Sequence, residues 1–243
     1  MITRLEVNRY RCFEQLGIDV GDFQVIVGAN GAGKTTLVDI PILLGELLMA
    51  DNLASVFLMR HSEKPARASN LRELIFSGRG DDFSLAIEAK LPESEQKALL
   101  DTLLARAKSE PEANLLPDMP DTRECWPTHI RYELRLVVID DRHLAVMNEY
   151  LFFFPEAFGP DRASGGLAGD SAIVHAGWHF ILRREFGGPA VCSSAVGPCA
   201  HTTLNIADNL LALSAVKHQP DVYPAANWLY HRLTEHAVFL DPK

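Results

Sequence analysis

The chain has 243 residues, of which 47% are hydrophobic, and its formal net charge is −9. These values suit one large domain or two small ones, and they exclude a protein whose whole surface attracts nucleic acid or anionic membrane. The four cysteines show no CxxC spacing and fit neither a zinc site nor a disulfide framework. No apolar run reaches membrane-spanning length and no signal-peptide pattern is present, so we expect a cytoplasmic protein without membrane association.

The first predicted elements are two strands and a helix. "ITRLEVNRY" predicts a strand, and "LGIDVGDFQVIVG" predicts a second one that ends in a buried apolar run after the turn residues Gly21 and Asp22. A helix is expected from Gly33 toward Met49, with a bend at Pro41 because proline removes one backbone hydrogen bond.

The middle of the chain predicts antiparallel structure. "FSLAIEAKL" alternates between apolar and polar residues, as does "HIRYELRLVVI". The second segment is predicted to turn at "DDRH" and to return as "LAVMNEYLFFF" in a hairpin. Between them, residues 92–108 predict a helix. Residues 155–200 are rich in Gly and Ala and predict loops with a short element around "WHFILRREF". Two helices, in "TTLNIADNLLALSAVKH" and "PAANWLYHRLTEH", and a final strand and turn in "AVFLDPK" complete the prediction.

A glycine-rich loop lies between the second predicted strand and the first predicted helix. The run "GANGAGKT" from Gly28 fits the pattern GxxxxGK[ST] in the strand–loop–helix context that this motif requires. Glycines let successive N–H groups point into one cavity, and the helix start adds a partial positive charge. Lys34 supplies a cation for the β- and γ-phosphates and is the candidate catalytic residue, while Thr35 supplies a hydroxyl ligand for Mg²⁺. The loop is therefore predicted to bind ATP and Mg²⁺ through Gly28, Asn30, Gly31, Ala32, Gly33, Lys34, Thr35 and Thr36.

The N-terminal region resembles a known class of ATPases. Residues 1 to about 45, with "NRYRCF" before the strand and "GANGAGKTTL" after it, resemble the start of SMC/RecF-type heads of the ATP-binding cassette class. Relatives include predicted bacterial AAA-type ATPases and the ATPase part of overcoming-lysogenization-defect nucleases. The resemblance implies that Arg11 approaches the nucleotide phosphates, with an ordinary surface arginine as the alternative. It also implies that Asn30 senses the γ-phosphate, since its amide can donate to a terminal oxygen.

The resemblance also implies a fold and a pathway. The expected fold is an α/β P-loop NTPase with a mixed sheet, in which a parallel core carries the loop and an antiparallel lobe and C-terminal helices lie beside it. We predict one head, incomplete at its C-terminal side, that is divided into a nucleotide-binding core (1–50), an antiparallel lobe (51–154), loops (155–200) and a helical segment (201–243). Heads of this class hydrolyse ATP on dimerisation, in DNA repair or in defence against phage.

Two parts of such an ATPase are not recognised in the sequence. The class needs a signature loop and a Walker B strand, so we expect a homodimer or a partner chain to carry them. "LVVIDD" offers Asp140 and Asp141 as an acidic pair, but its alternation favours a hairpin turn. "ASGGLAG" favours a flexible loop over a signature loop. Glu149 is either the second metal ligand or, as we prefer, a residue at the rim of a hairpin. A non-hydrolysing ATP-binding module and a P-loop kinase that uses Asp140 and Asp141 remain alternatives.

Basic residues cluster in "MRHSEKPARASNLREL". Arg60, His61, Lys64, Arg67 and Arg72 present either a DNA contact or, as the negative charge favours, a solvated loop. Arg183 and Arg184 have the same two interpretations. Trp178 and Trp228 are expected to pack in the core or in an interface.

Overall fold

The computed structural model describes residues 1–59, 65–109, 126–161, 166–170, 177–193, 201–216 and 222–235, with the backbone alone at 103–109 and 201. In these ranges one antiparallel sheet contains eight strands in the order β2-β1-β3-β4-β5-β6-β7-β8. The strands are β1 (Ile2–Tyr10), β2 (Phe13–Asp19), β3 (Asp82–Lys90), β4 (His129–Val138), β5 (Leu144–Phe154), β6 (His179–Glu185), β7 (Ala190–Ser193) and β8 (His201–Leu204). The α-helices are α1 (Lys34–Met49), α2 (Leu53–Leu58), α3 (Glu93–Ser109), α4 (Leu213–Val216) and α5 (Pro224–Glu235).

The predicted mixed sheet with a parallel core is wrong. Every strand pair in the described sheet is antiparallel. β2 ends at Asp19 on the edge of the sheet, and residues 20–33 belong to neither a strand nor a helix. An apolar run becomes a strand only where a neighbouring strand accepts its hydrogen bonds, and the described part of the chain places none beside Phe23–Val27.

The C-terminal third also differs from the prediction. In the described part of residues 155–200, β6 lies at the short element predicted around "WHFILRREF", whereas β7 was not predicted. The first predicted C-terminal helix is replaced by β8, a loop and the single turn α4. The β-branched Thr202 and Thr203 favour the strand, where they pair with Cys192 and Val191. α1, α3, α5 and the β4–β5 hairpin lie where the sequence predicts them, and "AVFLDPK" falls outside the described residues.

Helices cover one face of the sheet. Leu5, Val7 and Leu85 point from β1 and β3 into a continuous core that includes the buried faces of α1 and α5. At Gly45 the two helices come so close that any side chain would collide with the carbonyl group of Leu233. The expected packing role of Trp228 is confirmed, because it lies against this core. Among the described residues no helix combines the length and apolar content needed to cross a membrane.

The opposite face of the sheet is charged at one end and aromatic at the other. On β1, β3 and β4, Arg131 is 1% exposed and donates to Glu6, Glu88 and Glu133. On β5 and β6 an aromatic cluster takes over, where Trp178 stacks on Phe152 with 4.8 Å between ring centroids. The packing role predicted for Trp178 is therefore confirmed. On β1, β3 and β4 this face is built from the polar positions of alternating strands, as the sequence pattern requires.

Candidate functional site

Two glycines shape the loop that precedes α1. Gly31 and Gly33 have φ angles of 80° and 89°, in the left-handed region that other residues adopt only with strain. From Ala29 to Ala32 the backbone makes a tight turn, in which the N–H of Ala32 donates to the carbonyl oxygen of Ala29 at 3.2 Å. Gly28, Asn30, Gly31 and Ala32 are all exposed, so the loop is open to solvent.

The start of α1 is left without a cap. Gly33 is the N-cap residue and provides no side-chain hydrogen bond, and the first turn contains no acidic residue. The first hydrogen bond of the helix runs from the N–H of Leu37 to the carbonyl oxygen of Gly33, at 2.9 Å. The N–H groups of Lys34, Thr35 and Thr36 come before it and therefore have no intrahelical partner. Together with the helix dipole, these donors make the loop end of α1 suited to an anion.

Lys34 closes the loop. Its Nζ donates to the carbonyl oxygens of Gly28 at 2.7 Å and Ala29 at 2.8 Å, so the side chain folds back from the helix over the beginning of the loop. The hydroxyl-bearing Thr35 is exposed beside it, and Thr36 is half-buried. The eight loop residues singled out in the sequence thus form one compact arrangement with an ammonium group at its edge.

Arg11 lies in the β1–β2 turn, which packs against the same loop. A Cβ on Gly33 would lie only 2.5 Å from the Sγ of Cys12 and 2.6 Å from the ring of Phe13, so glycine is required there for contact as well as conformation. Arg11 has a positive φ of 53° and donates from Nη2 to the carbonyl oxygen of Arg67 at 2.6 Å. Its Nε is buried without a hydrogen-bond partner. The turn that carries Arg11 therefore packs against the loop end of α1 through Cys12 and Phe13, while the Arg11 side chain itself bonds to Arg67.

The acidic pair Asp140 and Asp141 lies elsewhere. Both are exposed in the turn between β4 and β5, so the hairpin prediction is confirmed. The carboxylate of Asp140 accepts the N–H groups of Arg142 and His143, each at 2.8 Å. The N–H of Arg142, followed by the ring of His143, lowers the pKa of Asp140. These contacts are those of a turn residue, and no other carboxylate of the described chain joins them.

Glu149 is a structural anchor. It is fully buried on the helix side of β5, so its interpretation as a residue at the rim of a hairpin is wrong. Its carboxylate accepts hydrogen bonds from the hydroxyl of Tyr132 and from the N–H groups of Ala212 and Leu213, at 2.7 to 2.9 Å. Burial raises the pKa of Glu149, although these donors oppose the shift. Glu149 therefore fixes the segment that leads into α4.

The described basic residues of the two predicted DNA contacts are largely engaged inside the protein. Arg67 forms ion pairs with Asp39 and Glu46 of α1, and Arg72 pairs with Asp81. Arg184 is 1% exposed and donates to backbone carbonyls of Ile206, Ala207 and Leu210. Its description as a solvated residue is wrong. Arg60, His61 and Lys64 fall outside the described residues.

The glycine-rich segment "ASGGLAG" is only partly described, and its second half has a structural contact. The N–H groups of Ala168 and Gly169 donate to the carboxylate of Glu133, at 2.9 and 2.8 Å. Residues 163–165 lie outside the described ranges. In the described part of the chain, no group of three or more His, Cys, Asp or Glu is arranged to hold a metal ion.

The sequence did not single out the role of Arg67 beside the loop. Its Nε and Nη2 bind both oxygens of Asp39, at 3.0 and 3.1 Å, and its Nη1 reaches Glu46. Burial alone would lower the pKa of Arg67, but the hydrogen bonds to the two carboxylates raise it above its usual value. Asp39 and Glu46 are seven residues apart, which puts them on one face of α1, and this spacing was the available signal.

Comparison with known proteins gives a short local match. No protein-family model matches the chain. A stretch of 48 residues is 44% identical to the OLD nuclease of Thermus scotoductus, which corresponds to 19% of this chain and 9% of that nuclease. The matched stretch thus spans less than a tenth of its relative's length. The chain is locally similar to a nuclease whose class was among the resemblances of the sequence, and the match does not single out SMC/RecF-type heads.

Proposed function

We propose that the loop from Gly28 to Thr36 binds ATP together with Mg²⁺. The observation that carries this proposal is the uncapped start of α1, where a glycine-shaped loop and the ammonium of Lys34 surround free N–H donors. A triphosphate supplies the negative charge and the acceptor oxygens that such a set of donors lacks. The short similarity to OLD nuclease supports a nucleotide-related hydrolase.

Each residue has a distinct role in this proposal. Lys34 exchanges its two carbonyl partners for the β- and γ-phosphates, where its charge also stabilises the transition state of phosphoryl transfer. Thr35 supplies a hydroxyl ligand to Mg²⁺, and Thr36 donates to the α-phosphate. Asn30 contacts the γ-phosphate, and Arg11 approaches the phosphates from the β1–β2 turn. The remaining contacts come from the backbone of Gly28, Gly31, Ala32 and Gly33.

Hydrolysis is proposed to require a second copy or a partner chain, which carries the signature loop and the Walker B acids. An exposed apolar surface beside the loop supports such an association. Phe23 and Val27 are 87% and 85% exposed. Val38 of α1 is 42% exposed and lines, with Trp228, a cleft of about 400 Å³. Exposed apolar surface of this kind commonly marks an interaction site. DNA repair or phage defence are the corresponding pathways.

A non-hydrolysing ATP-binding module is the second candidate. It is favoured by the exposed turn position of Asp140 and Asp141, which leaves the described chain without an acidic pair at the loop. The same position counts against the kinase alternative. ATP turnover that stays absent at high protein concentration, in the presence of Mg²⁺, would favour the module. Turnover that rises with the square of the protein concentration would favour a dimerising ATPase.

Substitution of Lys34 tests the proposal. Lys34→Ala removes charge-assisted hydrogen bonds to the phosphates, and we expect ATP affinity to fall about 10- to 100-fold. Equilibrium titration with ATP and Mg²⁺ measures this loss. Lys90→Ala is the matched control, because Lys90 is an exposed lysine at the end of β3, far along the chain from the loop. Unchanged ATP affinity in Lys34→Ala would contradict the proposal.

A further inference from the structure

Arg67 links the loop after α2 to the helix that follows the glycine-rich loop. Its guanidinium group binds both carboxylate oxygens of Asp39 and also reaches Glu46, while its side chain is 17% exposed. This two-point contact fixes the arginine on α1, because the planar guanidinium matches the carboxylate in only a few orientations. The neighbouring N–H of Ala68 donates to the carbonyl oxygen of Phe57 at 3.0 Å, which holds the backbone on the other side.

The backbone of the same residue holds Arg11. The carbonyl oxygen of Arg67 accepts a hydrogen bond from Nη2 of Arg11 at 2.6 Å. The backbone N–H of Arg11 donates to the carbonyl oxygen of Leu74 at 2.7 Å, and Tyr10 bridges to Ile75. The side chain of Arg11 is therefore bonded to Arg67, and its backbone is bonded to Leu74, which lies further along the same segment.

Asp39 places this connection beside the phosphate end of α1. Residues three and four apart share a face of a helix, so Asp39 lies one turn below Thr35 and Thr36. The contacts therefore run without interruption from the first turn of α1, through Asp39 and Arg67, to the guanidinium group of Arg11. The last contact of this path is the hydrogen bond from Nη2 of Arg11 to the carbonyl oxygen of Arg67. The Nε of Arg11 is buried and has no hydrogen-bond partner.

We propose that Arg67 is a positioning residue, which aligns Arg11 with the phosphate site by clamping onto Asp39 and Glu46. The inference rests on the proposed ATP-binding function and adds a residue to it. Arg67 itself touches no nucleotide: its three guanidinium nitrogens are used by the two carboxylates. The inference is that its effect on ATP passes through Arg11, whereas an effect through Asp39 and α1 would not depend on Arg11.

A double-mutant cycle tests this dependence, with ATP dissociation constants measured for the wild-type protein, Arg11→Ala, Arg67→Ala and the double variant. We expect Arg11→Ala to weaken ATP binding about tenfold, as the loss of one charge-assisted contact does. Arg67→Ala should weaken it about fivefold in the wild-type background and less than about twofold once Arg11 is absent. Arg67→Lys, which keeps the charge but loses the two-point contact, should give an intermediate loss.

Thermal unfolding of the same four proteins separates positioning from stability. A purely structural role of Arg67 would lower the melting temperature and the ATP affinity equally with and without Arg11, and that result would overturn the inference. Arg72→Ala, which removes an exposed ion pair from the same loop, is the matched control and should leave ATP affinity unchanged. Wild-type protein that binds no ATP would overturn the proposed function as well, whereas Lys34-dependent binding without coupling would overturn this inference alone.

Discussion

The charged face of the sheet and the loop before α1 handle hydrogen-bond donors in opposite ways. Around Arg131 the three guanidinium nitrogens each meet a carboxylate, from Glu6, Glu88 and Glu133. At the start of α1, the backbone donors of the first turn have no side-chain acceptor. The first region is buried and the second is open to solvent. A donor without a protein acceptor costs little free energy where water can bond to it. The open region is therefore the one that can keep donors available for a ligand.

The carboxylates around Arg131 show how closely this network is balanced. The pKa of Glu6 is lowered, because its bonds to Arg131 and Arg4 outweigh the cost of burial. The pKa of the more deeply buried Glu88 is raised, since for that group burial outweighs the attraction of Arg131. The attraction of Arg131 therefore outweighs the effect of burial on the pKa at Glu6, where Arg4 also contributes, but not at Glu88. The network depends on all of its members, whereas the loop at α1 keeps its shape through backbone conformation.

The largest effect is expected when the centre of the network is removed. Arg131→Met leaves three carboxylates without their shared cation, and breaking a buried ion pair in this way costs about 3–5 kcal/mol in the free energy of unfolding. Denaturant titration measures it. Arg72→Met, at an exposed ion pair, should cost no more than about 1 kcal/mol. Similar losses of unfolding free energy in the two variants would contradict this prediction, because the buried network would then contribute no more to stability than a surface ion pair.

A smaller effect is expected at Glu149, the fully satisfied acid on the helix side of the sheet. Glu149→Ala leaves the hydroxyl of Tyr132 and the N–H groups of Ala212 and Leu213 without their acceptor, at a cost of about 2–3 kcal/mol. Hydrogen exchange at the Ala212 and Leu213 amides should accelerate. Unchanged exchange there would contradict the anchoring role.

The pH dependence of this variant follows from the raised pKa of Glu149. The folded protein holds the proton more tightly than the unfolded chain, so wild-type stability from this group declines as pH rises above the ordinary value of 4.5. Glu149→Ala has no such decline. The difference in stability between the two proteins should therefore be larger near pH 4.5 than at pH 7, as unfolding free energies at the two pH values will test.

The sequence predicted local structure well where alternation or a motif is strong. β1, the β4–β5 hairpin and α1 follow from patterns within ten to twenty residues, and so does the glycine loop with its two left-handed positions. The apolar run Phe23–Val27 misled the prediction, because its composition suits a buried strand while the described sheet offers it no neighbour. Strand formation is a property of pairs, and a single segment cannot reveal its partner.

The buried polar groups were the least predictable part. Glu149, Arg184 and Arg131 look in the sequence like ordinary charged positions of a strand, yet each is at most 1% exposed. Apart from Glu133, which lies two residues from Arg131, their partners lie 17 to 125 residues away, so no local sequence pattern predicts them. The contact between Arg67 and α1 is of the same kind, at 21 and 28 residues. Long-range pairing explains why the loop residues could be named from the sequence and the residue proposed to position Arg11 could not.

The smallest effect is expected at Asp140, a carboxylate that is exposed to solvent but already has hydrogen-bond partners. Asp140 is as open to solvent as the loop at α1, but its carboxylate already accepts the N–H groups of Arg142 and His143. Asp140→Asn keeps an oxygen in the same place, so the turn should persist and both the melting temperature and ATP affinity should match the wild-type values. If exposure alone marked a functional polar group, this variant would resemble Lys34→Ala. A loss of ATP turnover in Asp140→Asn, with folding intact, would return the β4–β5 turn to the catalytic machinery and remove the contrast between a satisfied turn and an open loop.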